Sequence, residues 1–66
     1  MVFLLEKICK LIDYKNIKFV SENKIEVIYS KKKIEIYGNN LSLSFYSKEE
    51  SLIKGKIINI QIYDIH

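Results

Sequence analysis

Apolar and polar residues alternate with a period of two along most of this chain, and the pattern is clearest between residues 33 and 46. In the segment 33–37, isoleucine alternates with lysine, glutamate and tyrosine. In the segment 41–46, leucine and phenylalanine alternate with serine and tyrosine. A period of two places successive side chains on opposite faces of a pleated strand. Both segments are therefore predicted to be half-buried β-strands.

The link between these two segments is Gly38-Asn39-Asn40, and its residue types predict a tight reversal of the chain. Glycine and asparagine tolerate the positive φ that a short hairpin requires. We therefore expect a hairpin here, with positive φ at Gly38 or at an adjoining asparagine. Gly55 follows an apolar segment at 52–54 and is expected to end a short strand there. Gly38, Asn39, Asn40 and Gly55 are thus the predicted structural turns.

Further alternating segments lie on both sides of this hairpin, and short polar links join them. Links of about two to five residues indicate an antiparallel meander, because parallel crossovers need a dozen residues or more. We expect residues 1–66 to form a single all-β domain: a small antiparallel meander of about five to seven short strands, curled into a roll or partial barrel. Its core is expected to contain Ile17, Phe19, Ile25, Val27, Ile34, Ile36, Leu41, Leu43, Phe45, Ile58, Ile60 and Ile62.

The N-terminal segment fits two patterns. Leucine and isoleucine residues between positions 4 and 12 fall at helical spacing, whereas residues 8–13 also show the alternation of a strand. Short apolar segments cannot be assigned from periodicity alone. Residues 1–14 are therefore predicted to form either a strand or a short helix.

The charge of the chain comes from 11 lysines and eight acidic residues, with no arginine, and the net charge is +3. Arginine is the usual side chain for bidentate contacts to phosphate and guanine, so its absence argues against a nucleic-acid partner. The densest positive charge is Lys31-Lys32-Lys33. It leaves one alternative function open: a small Sm- or SH3-like β-barrel, with an N-terminal helix, that binds RNA through this lysine-rich face.

Side chains suited to catalysis are scarce. The only histidine is His66, and the sequence contains no nucleophile–base pair, glycine-rich phosphate loop or metal-ligand spacing. Cys9 is the only cysteine, which excludes an internal disulfide and fits a reducing compartment. We expect Cys9 to be a small buried hydrophobic residue. The sequence predicts no enzyme, no cofactor and no bound metal.

A second apolar surface is expected on the side of the sheet that faces away from the core. A chain of this length is too short to bury both faces of so apolar a sheet. The predicted interface residues, suited to a second subunit or to a cytosolic segment of a membrane protein, are Ile28, Tyr37, Tyr46, Ile57 and Tyr63. A homo-oligomer is one expected use of this surface.

Several short pieces of the chain occur in an order and spacing typical of one protein family. They are Gly38-Asn39-Asn40-Leu41 after an Ile-x-Ile strand, Ser47-Lys48-Glu49-Glu50, the segment 52–57 with its Gly-Lys-Ile, and the lysine-containing polar turn at 13–17. Together they span about residues 11–63 and resemble the YabP/YqfC family of sporulation proteins. In that family a strand precedes the lysine, which favours a strand over about residues 8–13. Leu5-Glu6-Lys7 stands where the family has a Gly-Asn-type turn.

The resemblance implies a small non-catalytic protein of spore formation in a low-GC, endospore-forming Gram-positive bacterium. It implies a role in assembly of the spore envelope, cortex and coat, through protein–protein contacts. The expected partner is a membrane protein of the sporulating cell. The expected location is cytoplasmic, at or near the forespore membrane. The family carries no catalytic or cofactor-binding residues onto this chain.

Overall fold

The computed structural model describes residues 2–4 and 7–65, and every regular element in them is a β-strand. The strands are β1 (Val2–Leu4), β2 (Ile8–Ile12), β3 (Asn16–Val20), β4 (Lys24–Ile28), β5 (Lys32–Tyr46) and β6 (Glu50–Asp64). They form one antiparallel sheet in the order β1-β2-β6-β5-β4-β3. The sheet is not closed, because β1 and β3 lie at its opposite ends. The prediction of a small all-β antiparallel meander is confirmed.

The sheet is organised around β5 and β6, which are 15 residues long and pair with each other along almost their whole length. The first half of β5 also pairs with β4, whereas the first half of β6 pairs with β2. Because β5 and β6 are antiparallel, these additional strands join opposite ends of the long pair. Buried residues of β2 and β4 nevertheless belong to one cluster. The long pair must therefore bend and bring the two ends of the sheet face to face.

Two glycines lie where the long pair bends. A Cβ atom at Gly38 would be 2.1 Å from the carbonyl oxygen of Lys56, and one at Gly55 would be 2.6 Å from the carbonyl oxygen of Asn40. Gly55 also has a φ of 133°, which residues with a side chain rarely adopt. The ladder between β5 and β6 is irregular at this point. Glycine at both positions lets the two backbones approach each other as the sheet curls.

The predicted hairpin at Gly38-Asn39-Asn40 is therefore wrong. β5 continues through these residues, and the chain reverses only after Tyr46. Gly55 does not end a strand either, because β6 continues to Asp64. The positive φ expected near Gly38 occurs at Asn40, with a value of 55°. Glycine and asparagine were interpreted as turn residues, but a strand that bends through a bulge needs the same residue types.

The core lies inside the curled sheet. Its buried apolar residues are Cys9, Leu11, Tyr14, Ile25, Val27, Ile34, Ile36, Leu41 and Ile53. The prediction is correct for those on β4 and β5, and for Ile17, Leu43 and Ile60, which are partly buried and pack against this cluster. Cys9 was expected to be buried, but Leu11, Tyr14 and Ile53 were not predicted. Leu11 was missed because the N-terminal segment had no settled periodicity.

Bulges account for most of the wrong core assignments. The register of β3 shifts between Ile17 and Phe19, so Phe19 lies opposite Glu26 and is 47% exposed. A shift after Leu43 likewise leaves Phe45 49% exposed, and Ile58 is the extra residue of a third shift. One inserted residue exchanges the two faces of a strand for everything that follows it. Ile62 keeps the predicted register opposite Ile34, but it lies at the margin of the sheet and is 61% exposed.

The N-terminal segment is a strand where the alternation placed one. β2 covers Ile8–Ile12 and pairs with β1 on one side and with the first half of β6 on the other. The alternative of a short helix is wrong for the described residues. The expected departure from the family's turn at Leu5-Glu6-Lys7 falls in part on Leu5 and Glu6, which lie outside the described residues.

Candidate functional site

One face of the half-sheet β4-β5-β6 carries a compact charged cluster. Its three cross-strand rows are Lys24–Tyr37–Asn59, Glu26–Glu35–Gln61 and Ile28–Lys33–Tyr63. The two lysines lie on either side of the two glutamates, with Nζ–Oε distances between 3.2 and 3.6 Å. Lys24 also lies over the ring of Tyr37, and Lys33 over the ring of Tyr63, at 5.5 and 5.4 Å from the ring centroids. Attraction between neighbouring strands therefore holds this face together.

Glu35 is the centre of the charged cluster. The hydroxyl of Tyr37 donates a hydrogen bond of 2.5 Å to its carboxylate. This bond, with help from Lys33 and Lys24 and against the effect of burial, lowers the pKa of Glu35 to about 2. The hydrogen bond to Glu35 raises the pKa of Lys33 above its ordinary value, and Glu35 also raises the pKa of Tyr37. None of these three groups changes protonation near neutral pH, so the cluster fits a structural role better than proton transfer.

Two of the three lysines of the predicted lysine-rich face take part in separate ion pairs. Lys33 belongs to the charged cluster, and the Nζ of Lys32 lies 2.8 Å from Oδ1 of Asp64. Of the three consecutive lysines, Lys31 alone has no ion pair with a described residue. A continuous basic surface would leave its cations available for phosphates. The arrangement of Lys31-Lys32-Lys33 therefore weakens the RNA-binding alternative.

The five predicted interface residues do not form one surface. Ile28, Tyr37 and Tyr63 share the outer face of β4-β5-β6, where Tyr63 is 41% exposed and the other two are half-buried. Tyr46 lies at the far end of β5, with its ring 6.5 Å from that of the buried Tyr14. Ile57 packs against the core instead of projecting away from it. Bulges separate both residues from the strand segments whose alternation was used to place them.

The second half of β6 forms an open edge of the sheet. β2 pairs with β6 only up to Lys54, and a hydrogen bond of 3.2 Å from the Gly55 N–H to the Lys7 carbonyl ends that contact. In the part of the chain that the structure describes, no strand pairs with this side of β6 beyond Gly55. We call residues 57–64 on this side the open β6 edge.

The backbone groups on the open β6 edge can be assigned from one hydrogen bond. The N–H of Ile65 donates to the carbonyl of Lys31 at 2.9 Å, on the side where β5 lies. In an antiparallel ladder the backbone groups of successive residues point to alternate sides. Those of Ile60, Ile62 and Asp64 therefore point to the open side. Three N–H donors and three carbonyl acceptors are available there for another strand.

Two apolar side chains of the open β6 edge are poorly covered. Ile58 is 63% exposed and Ile62 is 61% exposed. The segment 57–63 contains no charged residue, although lysines and acids are frequent elsewhere in the chain. Exposed edge strands usually carry an inward-pointing charge or a proline that prevents pairing. The absence of charge in this segment could have indicated an open edge, but the alternation was interpreted as a strand with Ile58, Ile60 and Ile62 on its buried face.

A cleft of about 760 Å³ lies at the start of the open β6 edge, where β2 and β6 diverge. Its walls include Lys7, Lys54 and Lys56, together with Ile8, Asn39, Asn40, Gly55 and Ile57. Within residues 2–4 and 7–65, none of these lysines takes part in an ion pair. Three lysines without ion pairs among the described residues thus contribute to the lining of the cleft, and their charge suits an acidic group.

Cys9 is fully buried, as expected, and burial raises the pKa of its thiol to about 11. Such a thiol is a poor nucleophile at neutral pH. The described residues contain no group of three side chains that could hold a metal ion. They also contain no helix with the length and apolar character needed to cross a membrane.

Comparisons with known proteins give no further assignment: no protein-family model, no curated protein and no solved structure matches the chain. The resemblance to the YabP/YqfC family stays a prediction from the residues.

Proposed function

We propose that this chain is a non-catalytic protein of spore formation that acts in spore envelope assembly by binding a protein partner. The single observation that carries the binding role is the open β6 edge, with unpaired backbone groups at Ile60, Ile62 and Asp64. The resemblance to the YabP/YqfC family supplies the cellular setting. Strand addition at such an edge is a common mode of recognition, in which backbone hydrogen bonds give affinity and alternate side chains give specificity.

The proposed partner contributes an extended segment that lies along the open β6 edge. Its apolar side chains would cover Ile62, which is the exposed residue on the core-facing side of this edge. An acidic group at one end of the segment would reach the cleft formed by Lys7, Lys54 and Lys56. A cytosolic segment of a membrane protein of the sporulating cell fits this description, because it can present both features without any membrane insertion of the chain itself.

The proposal is tested by deleting the gene in its natural host and counting heat-resistant spores. Deletion should lower the count, and the parent chain should restore it. Ile62→Lys should not restore it, because an inward-pointing lysine prevents strand pairing. The matched control is Val20→Lys, which places the same charge on an exposed aliphatic residue of a different edge strand, β3. Full spore formation without the gene would exclude a sporulation role, and full rescue by Ile62→Lys would exclude the open β6 edge as the binding surface.

A further inference from the structure

The open β6 edge is complementary to itself. Lys56 and Asp64 have opposite charges and stand on either side of the uncharged segment 57–63. When two copies of this segment run antiparallel, the Asp64 end of one copy approaches the Lys56 end of the other. The three lysines of the cleft are without ion pairs among the described residues, and they lie at the end that the incoming Asp64 approaches. The exposed carboxylate of Asp64, which pairs with Lys32 of its own chain, adds negative charge at that end. Charge complementarity thus selects a second copy of this chain, in antiparallel orientation, as the occupant.

We propose that the open β6 edge pairs with the same edge of a second copy around a two-fold axis at Gln61. This inference goes beyond the proposed function, on which its cellular meaning rests: in the isolated protein a second copy occupies the edge that the proposed partner would otherwise take. Ile60 lies opposite Ile62 of the second copy, and Asn59 lies opposite Tyr63. The half-sheets β4-β5-β6 of both copies become one continuous antiparallel sheet.

The register follows from the backbone groups and from the bulge. Ile60 and Ile62 both direct their N–H and C=O groups to the open side, so two Ile60–Ile62 pairs each form two hydrogen bonds. The irregularity at Ile58 limits regular pairing to residues after it, which places the centre of the ladder at Gln61. In this register no charged residue faces a like charge, and the isoleucines of the two copies cover one another on the core-facing side.

A cysteine at the two-fold axis tests the register directly. Gln61 directs its own backbone groups toward β5, so the Gln61–Gln61 pair is a non-hydrogen-bonded pair, with Cα atoms about 4.5 Å apart. That separation lies in the range that a disulfide requires. In a Cys9→Ala background, Gln61→Cys should form a reducible dimer under mild oxidation. Tyr63→Cys is the matched control and should form no disulfide between the two copies, because its counterpart lies four residues away along the ladder.

Light scattering on the unmodified chain gives the independent measurement. The parent chain should have twice the mass of the 7.8 kDa monomer, and Ile62→Lys should return the mass to 7.8 kDa with the β-sheet spectrum unchanged. Val20→Lys should remain a dimer. A monomeric parent chain, a dimer that survives Ile62→Lys, or equal cross-linking of Gln61→Cys and Tyr63→Cys would each overturn the inference. A monomer would leave the proposed function standing if Ile62→Lys still fails to restore spore formation, since the edge would then serve another protein.

Discussion

Replacement of Gly38 by alanine tests whether residues 38–40 lie in a bent strand or in a turn. The structure leaves no space for a side chain there, because a Cβ atom would lie 2.1 Å from the Lys56 carbonyl oxygen and 3.0 Å from Cδ2 of Leu41. The first contact involves backbone, which cannot rotate away as a flexible side chain can. Gly38 does not have the positive φ of Gly55, so the expected cost arises from this close approach alone.

The loss of stability in Gly38→Ala can be estimated from the displacement of β5 and β6 that the new Cβ atom requires. Separating β5 from β6 by about an ångström at this point would weaken two or so ladder hydrogen bonds, at about 0.5–1.5 kcal/mol each. Overpacking against Leu41 adds about 1–3 kcal/mol. We therefore expect Gly38→Ala to lower the free energy of unfolding by about 2–6 kcal/mol. A domain of 66 residues has a total stability of about 3–10 kcal/mol, so this variant should be close to unfolding.

The assay is urea unfolding followed by far-UV circular dichroism at one fixed protein concentration. Asn39→Ala is the control, because the Asn39 side chain is exposed; its unfolding free energy should change by no more than about 0.5 kcal/mol. Gly38→Asn separates the two interpretations. Asparagine suits a turn with positive φ. Its Cβ atom, however, would lie as close to the Lys56 carbonyl oxygen as the Cβ atom of alanine. If Gly38→Asn is tolerated while Gly38→Ala is not, the position needs a turn conformation and the argument from close approach is refuted.

Two further predictions concern buried polar groups. The Ser51 hydroxyl is buried and has no hydrogen-bond partner among the described residues, so Ser51→Ala should raise the free energy of unfolding by about 1 kcal/mol, and a lower urea midpoint would contradict this. The pKa of Glu35 falls from an ordinary 4.5 to about 2 on folding, so its stabilising effect is complete above pH 4.5 and is lost as the pH falls towards 2. Urea midpoints measured across that range should fall more steeply for the parent chain than for Glu35→Gln, and parallel curves would show that the carboxylate gains nothing on folding.

The alternation of residues predicted the fold class because it is a local property. Each segment between bulges has its own period of two, and within the segments 24–28 and 33–37 the assigned core residues are correct. The antiparallel orientation of neighbouring strands follows from the short links between them. The number of strands does not follow in the same way, because the segments 33–37 and 41–46 are parts of one strand, β5. The family resemblance also favoured a strand at 8–13, where the structure has β2.

The position of the bulges could not be predicted in the same way. Lys18, Ser44 and Ile58 are ordinary strand residues, and nothing in their types marks a change of register. Gly38 and Gly55 were recognised as special positions, but a turn and a bend require the same freedom of the backbone. The difference is decided by pairing between residues 38 and 57, which are distant in sequence. Phe19 was placed on the wrong face because of the shift at Lys18, and Phe45 and Tyr46 because of the shift at Ser44.

The core and the open β6 edge have a common origin in the bend of the long strand pair. The bend brings Leu11 of β2 and Val27 of β4 into one buried cluster. The same bend turns β6 away from β2 after Gly55, so β2 cannot pair with the second half of β6. Burial of the core and exposure of Ile62 are thus two results of one geometric change. Within residues 2–4 and 7–65 no further strand lies on that edge, and the uncharged segment 57–63 therefore fits the proposed role as a surface that another chain covers.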